Sequence, residues 1–476
     1  MMFDYDLSEY VTIPVGWDCK RLSDCTLDGN ISYGIVQPGS HDIHGVPVIR
    51  INNIKNDQLD LSDVLKVSPE IEKKYERTRL NGGEVLLTLV GSTGQSFVAP
   101  KELKGWNVPR AIAVIRPNEE VGANWINICL QSRETKHFLD VRANTTVQKT
   151  LNLKDVRDIP ILIPPSKVKD FIERIALSIS DKIELNRQTN QTLEQIAQAI
   201  FKSLFVDFEP VKAKMAAKQA GANAEQIEQA AICAISGKTP EQLTQLDPQT
   251  LQQLKATAAL FPYALVDSEL GEIPEGWSIG CIGNIANVKA GYAFKGDSFI
   301  NDGNPVVKIK NITGNGGVNL NGCQCIDYKL AKSAASFKLR DGDLLMAMTG
   351  ATVAKTGIVV TEGMNIYLNQ RVAKFESDKF GSKISWFLYC CFERDSIFDS
   401  VVGAAQGSAQ PNISSSGIES TELVLPNDEL IELFCNSVDS LFCQWIANIS
   451  ENSKLIELRD SLLPKLLSGE ISLSTL

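Results

Sequence analysis

The sequence predicts an α/β (α+β) protein in which one mixed domain is written twice and each copy is closed by a long helix. Three observations carry this expectation. Short motifs recur in the same order: Ile13-Pro14-Val15-Gly16-Trp17 returns as Ile273-Pro274-Glu275-Gly276-Trp277, and Val48-Ile49-Arg50-Ile51-Asn52-Asn53-Ile54 returns as Val306-Val307-Lys308-Ile309-Lys310-Asn311-Ile312. Later pairs lock into one register, with Gln148/Gln410, Pro164/Pro426, Asn186/Asn448, Asn190/Asn452, Leu193/Leu455 and Leu204/Leu466 all 262 residues apart. Each copy also ends in a proline followed by apolar residues at steps of three and four, the spacing of one helix face. A repeat this long is a duplicated domain, since solenoid units run roughly 20 to 50 residues.

Each copy opens with short apolar runs bounded by Gly and Asn. Val46 to Ile54, Glu84 to Val90 and Ala111 to Ile115 read as strands, and Trp125–Arg142 and Ile384–Ser400 as short helices. The strand motif Gly83-Glu84-Val85-Leu86-Leu87 is matched by Gly342-Asp343-Leu344-Leu345-Met346, and Gly91 by Gly350. The first long helix follows Pro164-Pro165-Ser166, with a seam of Val168, Ile172, Ile175, Ile179, Ile183, Leu193, Ile196, Ile200 and Leu204. The second follows Pro426-Asn427-Asp428, with Leu430, Phe434, Leu441, Trp445, Leu455, Leu458, Leu462 and Leu466. Such seams imply helices near 55 Å long at roughly 1.5 Å per residue. A lone apolar stripe needs a partner, and each long helix is the obvious partner of the other. Asn186, Asn190, Asn448 and Asn452 fall on or beside the seams; they are either buried pairs that fix register or polar groups at the stripe's edge. Residues 212–262 are Ala- and Gln-rich, and Thr239-Pro240-Glu241-Gln242 and Asp247-Pro248 are helix starts, so a helical connector is expected.

The chain has 476 residues, a hydrophobic fraction of 43%, a charged fraction of 22% and a net charge of -10. Its start is acidic rather than signal-like, and no apolar run approaches the roughly 18 residues of a membrane span, so no membrane association and a cytoplasmic location are expected. Eleven cysteines lack zinc-ligand spacing and read as reduced thiols; His41 and His44 read as a solvated loop. The negative charge is unevenly placed. Residues 12–165 hold 19 Lys+Arg against 18 Asp+Glu, and residues 272–426 hold 14 against 15. Residues 101–157 carry ten basic and six acidic side chains, and such a patch, not the net charge, governs local contact with a polyanion.

Catalytic motifs are absent. Ser236-Gly237-Lys238-Thr239 lacks the glycine a phosphate loop needs, having Ile232 there, and Gly314-Asn315-Gly316-Gly317 lacks the third glycine of a dinucleotide fingerprint. There is no Asn/Asp-Pro-Pro-aromatic motif of an amino-methyltransferase, no nucleophile elbow and no metal-nuclease carboxylate cluster. The chain is read as a non-enzyme.

The duplicated Ile-Pro-x-Gly-Trp openings, the two Gly-acid-apolar strands, Gly407-Ser408-Ala409-Gln410-Pro411-Asn412-Ile413, the central Leu204-Phe205-Val206-Asp207-Phe208-Glu209-Pro210 and the terminal Leu463-Pro464-Lys465-Leu466-Leu467-Ser468-Gly469-Glu470-Ile471 together resemble the specificity (S) subunits of type I restriction-modification systems. The resemblance spans nearly the whole chain; Ala143-Asn144-Thr145-Thr146-Val147-Gln148 departs from the Gly-Ser-rich form of the first copy. It implies target-recognition domains at 1–165 and 272–426, a central conserved helix at 166–211, a connector at 212–271 and a C-terminal conserved helix at 427–476, with the helices paired antiparallel. It also implies double-stranded DNA, two methyltransferase subunits and motor-nuclease subunits as partners. S-adenosylmethionine, ATP and Mg2+ would belong to those partners, with no cofactor and no metal on this chain. The target would be bipartite and asymmetric, with half-sites spaced in multiples of about 34 Å per helical turn.

Base readers are expected among Arg, Asn, Gln, Ser and Thr in Gly-rich loops, because bidentate contacts to guanine or adenine need those groups. The candidates are Ser92, Thr93, Arg110 and Gln148 in the first copy, and Thr352, Lys355, Asn369, Gln370, Arg371 and Gln410 in the second; Arg50, Lys308 and Lys310 are candidates for phosphates. The rival expectation is a scaffold of two duplicated domains on a helical hairpin that binds protein and not DNA.

Overall fold

The computed structural model describes residues 12–471 apart from 56, 57, 60, 62, 92, 143, 146–148, 315 and 406–410. The chain divides into two compact units, Met1–Ile183 with Lys454–Leu476, and Glu184–Ser453.

The same antiparallel sheet is built in each unit. In the first, the strand order is Thr26–Tyr33, Ile112–Pro117, Val85–Thr88, Ser96–Val98. In the second it is Asn287–Ala290, Val372–Glu376, Leu344–Ala347, Thr356–Ile358. The central strands are buried on both faces, which is why they read as unbroken apolar runs rather than alternating ones. Val85 and Leu87 face one core and Leu86 another; Leu344 and Met346 likewise face one core while Leu345 and Ala347 face a second.

The recurring Ile-Pro-x-Gly-Trp motif is a turn that feeds a two-stranded ribbon. Trp17 N donates to Pro14 O at 3.1 Å and Trp277 N to Pro274 O at 3.0 Å, with Gly16 and Gly276 at φ 81° and 82°. That left-handed third position is the one a type II turn reserves for glycine. The ribbons pair Asp18–Arg21 with Pro160–Ile163 and Ser278–Cys281 with Glu422–Leu425. Each tryptophan then enters a core: Trp17 lies 6.4 Å from Trp125, and Trp277 packs against Phe205 and Phe208 at 5.9 and 5.6 Å.

Three local expectations are refined. Val46 to Ile54 is a short strand, Val46–Val48, followed by a tight turn at Ile51–Asn53, because the buried Asn53 side chain accepts from Arg50 N at 2.9 Å. Asn311 does the same for Lys308 N at 2.9 Å, so the repeated asparagine is a turn-former. Each short helix is two helices, Ala123–Gln131 with Arg133–Arg142, and Ile384–Phe392 with Asp395–Ala404. The first break falls at Ser132, whose hydroxyl accepts from Thr135 N and so competes with continuation of the helix.

The long helices are Ser166–Phe205 and Asp428–Leu467, each of 40 residues. Asn186 meets Asn452 while Asn190 meets Asn448, so the two run antiparallel. The buried line of the first helix passes through Ile183, Asn186, Asn190, Ala197, Phe201 and Leu204, and Ile196, expected on the seam, is exposed. With the two asparagines included, the steps of three and four lead to Ala197 rather than its neighbour.

The connector is helical at Glu209–Gln219, Ala224–Ser236, Pro240–Leu243 and Pro248–Ala259. Ser236-Gly237-Lys238-Thr239 is a helix-to-helix joint: Gly237 ends one helix, and Thr239 caps the next by accepting from Gln242 N. Among the described residues, no helix is long and apolar enough to cross a membrane and no group of three His, Cys, Asp or Glu is placed to hold a metal.

Candidate nucleic-acid interface

In each unit three separate segments converge on one backbone position at the end of the central strand. In the first, Leu89 N donates to Ala111 O at 2.7 Å, Leu151 N donates to Leu89 O at 2.8 Å, and Val90 bridges Thr150. In the second, Met348 N donates to Arg371 O at 3.0 Å, Ile413 N donates to Met348 O at 2.9 Å, and Thr349 bridges Asn412. The clasp is the same in both, and it gathers segments that are far apart in sequence.

A second contact sets the candidate turn. Arg110 N donates to Ile35 O at 2.8 Å, and Gln370 N donates to Tyr292 O at 3.0 Å. Arg110 and Gln370 therefore occupy the same place, and both side chains are exposed. The approach requires glycine just before the acceptor: a Cβ on Gly34 would lie 1.7 Å from Val108 O, and one on Gly291 2.4 Å from Leu368 O. Arg371 is also exposed, whereas Asn369 is buried and its Oδ1 faces Arg371 N at 3.4 Å, bracing the turn.

Thr93 and Thr352 stand two residues after Gly91 and Gly350 in equivalent loops. The hydroxyls of Thr352 and its neighbour Thr349 are buried with no hydrogen-bond partner among the described residues. Lys355 follows closely, its backbone joined to Thr352 O and Ala347 N at 3.0 and 2.9 Å. Thr352, Lys355, Gln370 and Arg371 are thus brought to one clasp, as are Thr93 and Arg110 in the first unit. Ser92, Gln148 and Gln410 lie outside the described residues. Thr349 carries no distinguishing mark in the sequence; only its burial, with no partner among the described residues, singles it out.

The phosphate candidates are occupied within the chain. Arg50 Nη2 pairs with Asp63 Oδ2 at 2.9 Å. Lys308 Nζ sits 3.4 Å from the Phe299 ring centroid and bonds Gln324, while burial, with Lys310 close by, pulls its ammonium pKa down. Lys310 Nζ donates to Gly322 O at 3.1 Å. The repeated acidic residues serve the strand turns: Glu84 accepts from Asn81 N and Gly82 N at 2.8 and 2.9 Å, and Asp343 accepts from Arg340 N at 2.8 Å and pairs with Lys374 at 3.0 Å.

The four helix asparagines are buried and joined across the pair. Asn186 Nδ2 donates to Asn452 Oδ1 at 2.9 Å and Glu451 Oε2 at 2.7 Å; Asn448 Nδ2 donates to Asn190 Oδ1 at 2.8 Å, and Asn190 Nδ2 to Trp445 O at 3.1 Å. Asn448 and Asn452 lie 262 residues beyond Asn186 and Asn190, so one contact is made twice about a local two-fold, as in a symmetric dimer interface. Asn190→Ala is expected to destabilise the pair by about 1–3 kcal/mol, because it leaves Asn448 buried without its partner. Urea unfolding followed by helical circular dichroism measures this. Leu at both 190 and 448 is expected to recover the loss while weakening the preference for a single register.

A family model described as the type I restriction modification DNA specificity domain matches residues 38–195 and 274–430. The type I restriction enzyme HindI specificity subunit of Haemophilus influenzae is 32% identical over 429 residues, spanning 87% of this chain and 90% of that relative. The MjaIX specificity subunit of Methanocaldococcus jannaschii is 22% identical over 98% of this chain and 95% of its own length. Among solved structures, the type I restriction-modification S subunit from M. genitalium aligns over 96% of this chain and 98% of its own, at 11% identity and a TM-score of 0.49. With both copies matched and a relative this similar over most of its length, the chain belongs to the type I restriction-modification DNA specificity family, whose members are the non-catalytic recognition subunits of those systems.

Proposed function

We propose that the chain reads two different half-sites of an interrupted, asymmetric double-stranded DNA target, one with each copied domain. The observation that carries this is the clasp built twice with different exposed side chains: Arg110 stands where the second copy has Gln370, and the Ala111 position is Arg371. Arg suits guanine and Gln suits adenine in the major groove, so equal scaffolds with unequal side chains fit unequal half-sites. The recognition domains would be residues 1–165 and 272–426, with 166–211 and 427–476 as the conserved helices and 212–271 as a connector. In this assignment Thr93, Thr352, Lys355, Gln370 and Arg371 meet DNA beside Arg110, and the asparagine quartet sets helix register.

The chain would work in the cytoplasm with two methyltransferase subunits and, for restriction, motor-nuclease subunits. S-adenosylmethionine, ATP and Mg2+ would be bound by those partners. The target adenine must leave the helix to be methylated, so the recognition subunit's task is to hold the duplex in place while that happens. A protein-only scaffold is not favoured by membership in a DNA specificity family.

The test is to co-express the chain with its methyltransferase and map N6-methyladenine by single-molecule sequencing. One bipartite motif is expected, and exchanging residues 272–426 for those of a relative should change one half and leave the other. No methylation from an assembled complex with an intact methyltransferase would overturn the reading.

A further inference from the structure

The first unit holds a cleft of about 680 Å3 between the helix Arg133–Arg142 and the last turns of the second long helix. One wall is the segment Thr93–Ser96, which carries the candidate base reader Thr93 and follows the clasp position Leu89 in the chain. The charged lining is lopsided, with Arg133, Lys136, Arg459 and Lys465 against Asp140 and Asp460. Arg459 pairs with Asp460 at 2.8 Å. Arg133, Lys136 and Lys465 are exposed and have no ion-pair partner among the described residues.

The duplication supplies an internal control. At a spacing of 262, the four cations correspond to Asp395, Phe398, Ala197 and Ser203. None of these is basic and one is acidic. The apolar residues differ too, since Leu463 and Leu467 correspond to Phe201 and Phe205. In the second unit those two phenylalanines close the junction against Phe387 and Phe434, with ring centroids 5.3–5.6 Å apart. The two copies share a backbone plan, and in the first the cleft lined by Thr93–Ser96 gathers cations whose counterparts in the second are not basic. Packing does not require these cations there, and the three without an ion-pair partner repel one another on a concave surface unless an anion joins them.

We infer that this cleft grips the sugar–phosphate backbone of double-stranded DNA next to the half-site read by the first domain, with Arg133, Lys136 and Lys465 as the phosphate contacts. This rests on the DNA-reading function proposed above and gives the first domain a sequence-independent hold beside its base readers. It also places the phosphate contacts away from Arg50, which is tied to Asp63.

The experiment measures duplex affinity against salt for the full chain in complex with its methyltransferase, using one duplex that carries the mapped site and one of scrambled sequence. Each phosphate contact contributes about 0.9 to the slope of log affinity against log salt. The triple variant Arg133→Gln, Lys136→Gln, Lys465→Gln is expected to reduce the slope by up to about 2.7 and to weaken both duplexes by the same factor, while the methylated sequence stays the same. Thermal melts verify folding, and the three side chains are exposed. An unchanged slope in a variant whose parent binds DNA would overturn the assignment and leave the proposed function standing. Unchanged DNA binding with a weakened hold on the methyltransferase would reassign the cleft to a protein contact. A parent complex that binds neither duplex would overturn both.

Discussion

Lys214→Ala is expected to destabilise the helical connector by about 2–4 kcal/mol, the loss that follows when a buried side chain and its charge-assisted hydrogen bonds are removed together. Lys214 is 0% exposed. Its ammonium donates to Ala258 O at 2.8 Å, Phe261 O at 2.9 Å and Glu228 Oε1 at 3.1 Å, and lies 4.3 Å from the Tyr263 ring centroid. The two carbonyls are at the end of the helix Pro248–Ala259, where backbone acceptors lack helical donors, so the lysine caps that helix from another element. Its loss takes the ammonium donor from Phe261 O, and one of two donors each from Ala258 O, which keeps Phe261 N at 3.1 Å, and Glu228 Oε1, which keeps the Tyr263 hydroxyl at 2.8 Å. The module's own core is small, namely Ala231, Ile232, Leu243 and Ala258, and cannot absorb such a loss. Hydrogen exchange across residues 209–261 should accelerate roughly 100-fold, while exchange in the recognition sheets stays as in the parent. Lys214→Met keeps the aliphatic stem and is expected to fall between the two. Equal exchange in the Ala variant and the parent would remove the lysine from its structural role.

Gly34→Ala is expected to disable the first recognition domain at a cost of about 3 kcal/mol, combining overpacking with lost backbone hydrogen bonds. The new methyl would lie 1.7 Å from Val108 O and 2.5 Å from Val108 C, and a backbone cannot yield as a side-chain tip can. The contacts that must open are Ile35 N to Val108 O at 2.7 Å and Arg110 N to Ile35 O at 2.8 Å, which aim Arg110. Methylation of the complete site should be lost while the long helices stay paired, because the asparagine contacts belong to the other unit. Gly291→Ala should do the same to the second domain, with 2.4 Å to Leu368 O. Gly296→Ala is the control, since it meets nothing within 4 Å. Retained methylation in Gly34→Ala with an intact melt would show that the turn is not held by this approach.

Much of the architecture was legible because duplication doubles every local cue. The Pro-x-Gly-Trp turns, the Gly-acid strand starts and the proline-led helices each depend on short-range physics: a left-handed glycine, a carboxylate accepting nearby N–H groups, a fixed proline φ. The candidate site was less legible. Arg110 and Gln370 were both nominated, but their equivalence appears only through the matching bonds to Ile35 and Tyr292, partners more than 70 residues away. Arg50 and Lys308 look like free cations in sequence, yet Asp63 and Phe299 engage them. The asparagines were recognisable as a matched set, while their burial was not, since the seam is decided by what packs across it.

The order of residues alone writes one domain twice, ends each copy in a helix that needs a partner, and supplies no catalytic motif. These properties are periodic or local, so a linear reading contains them. Only long-range packing sets which segments form the clasp, which hydroxyls find no partner among the described residues at Thr349 and Thr352, and which cations gather at one cleft in the first unit. There burial and the company of residues distant in the chain fix what each side chain can do.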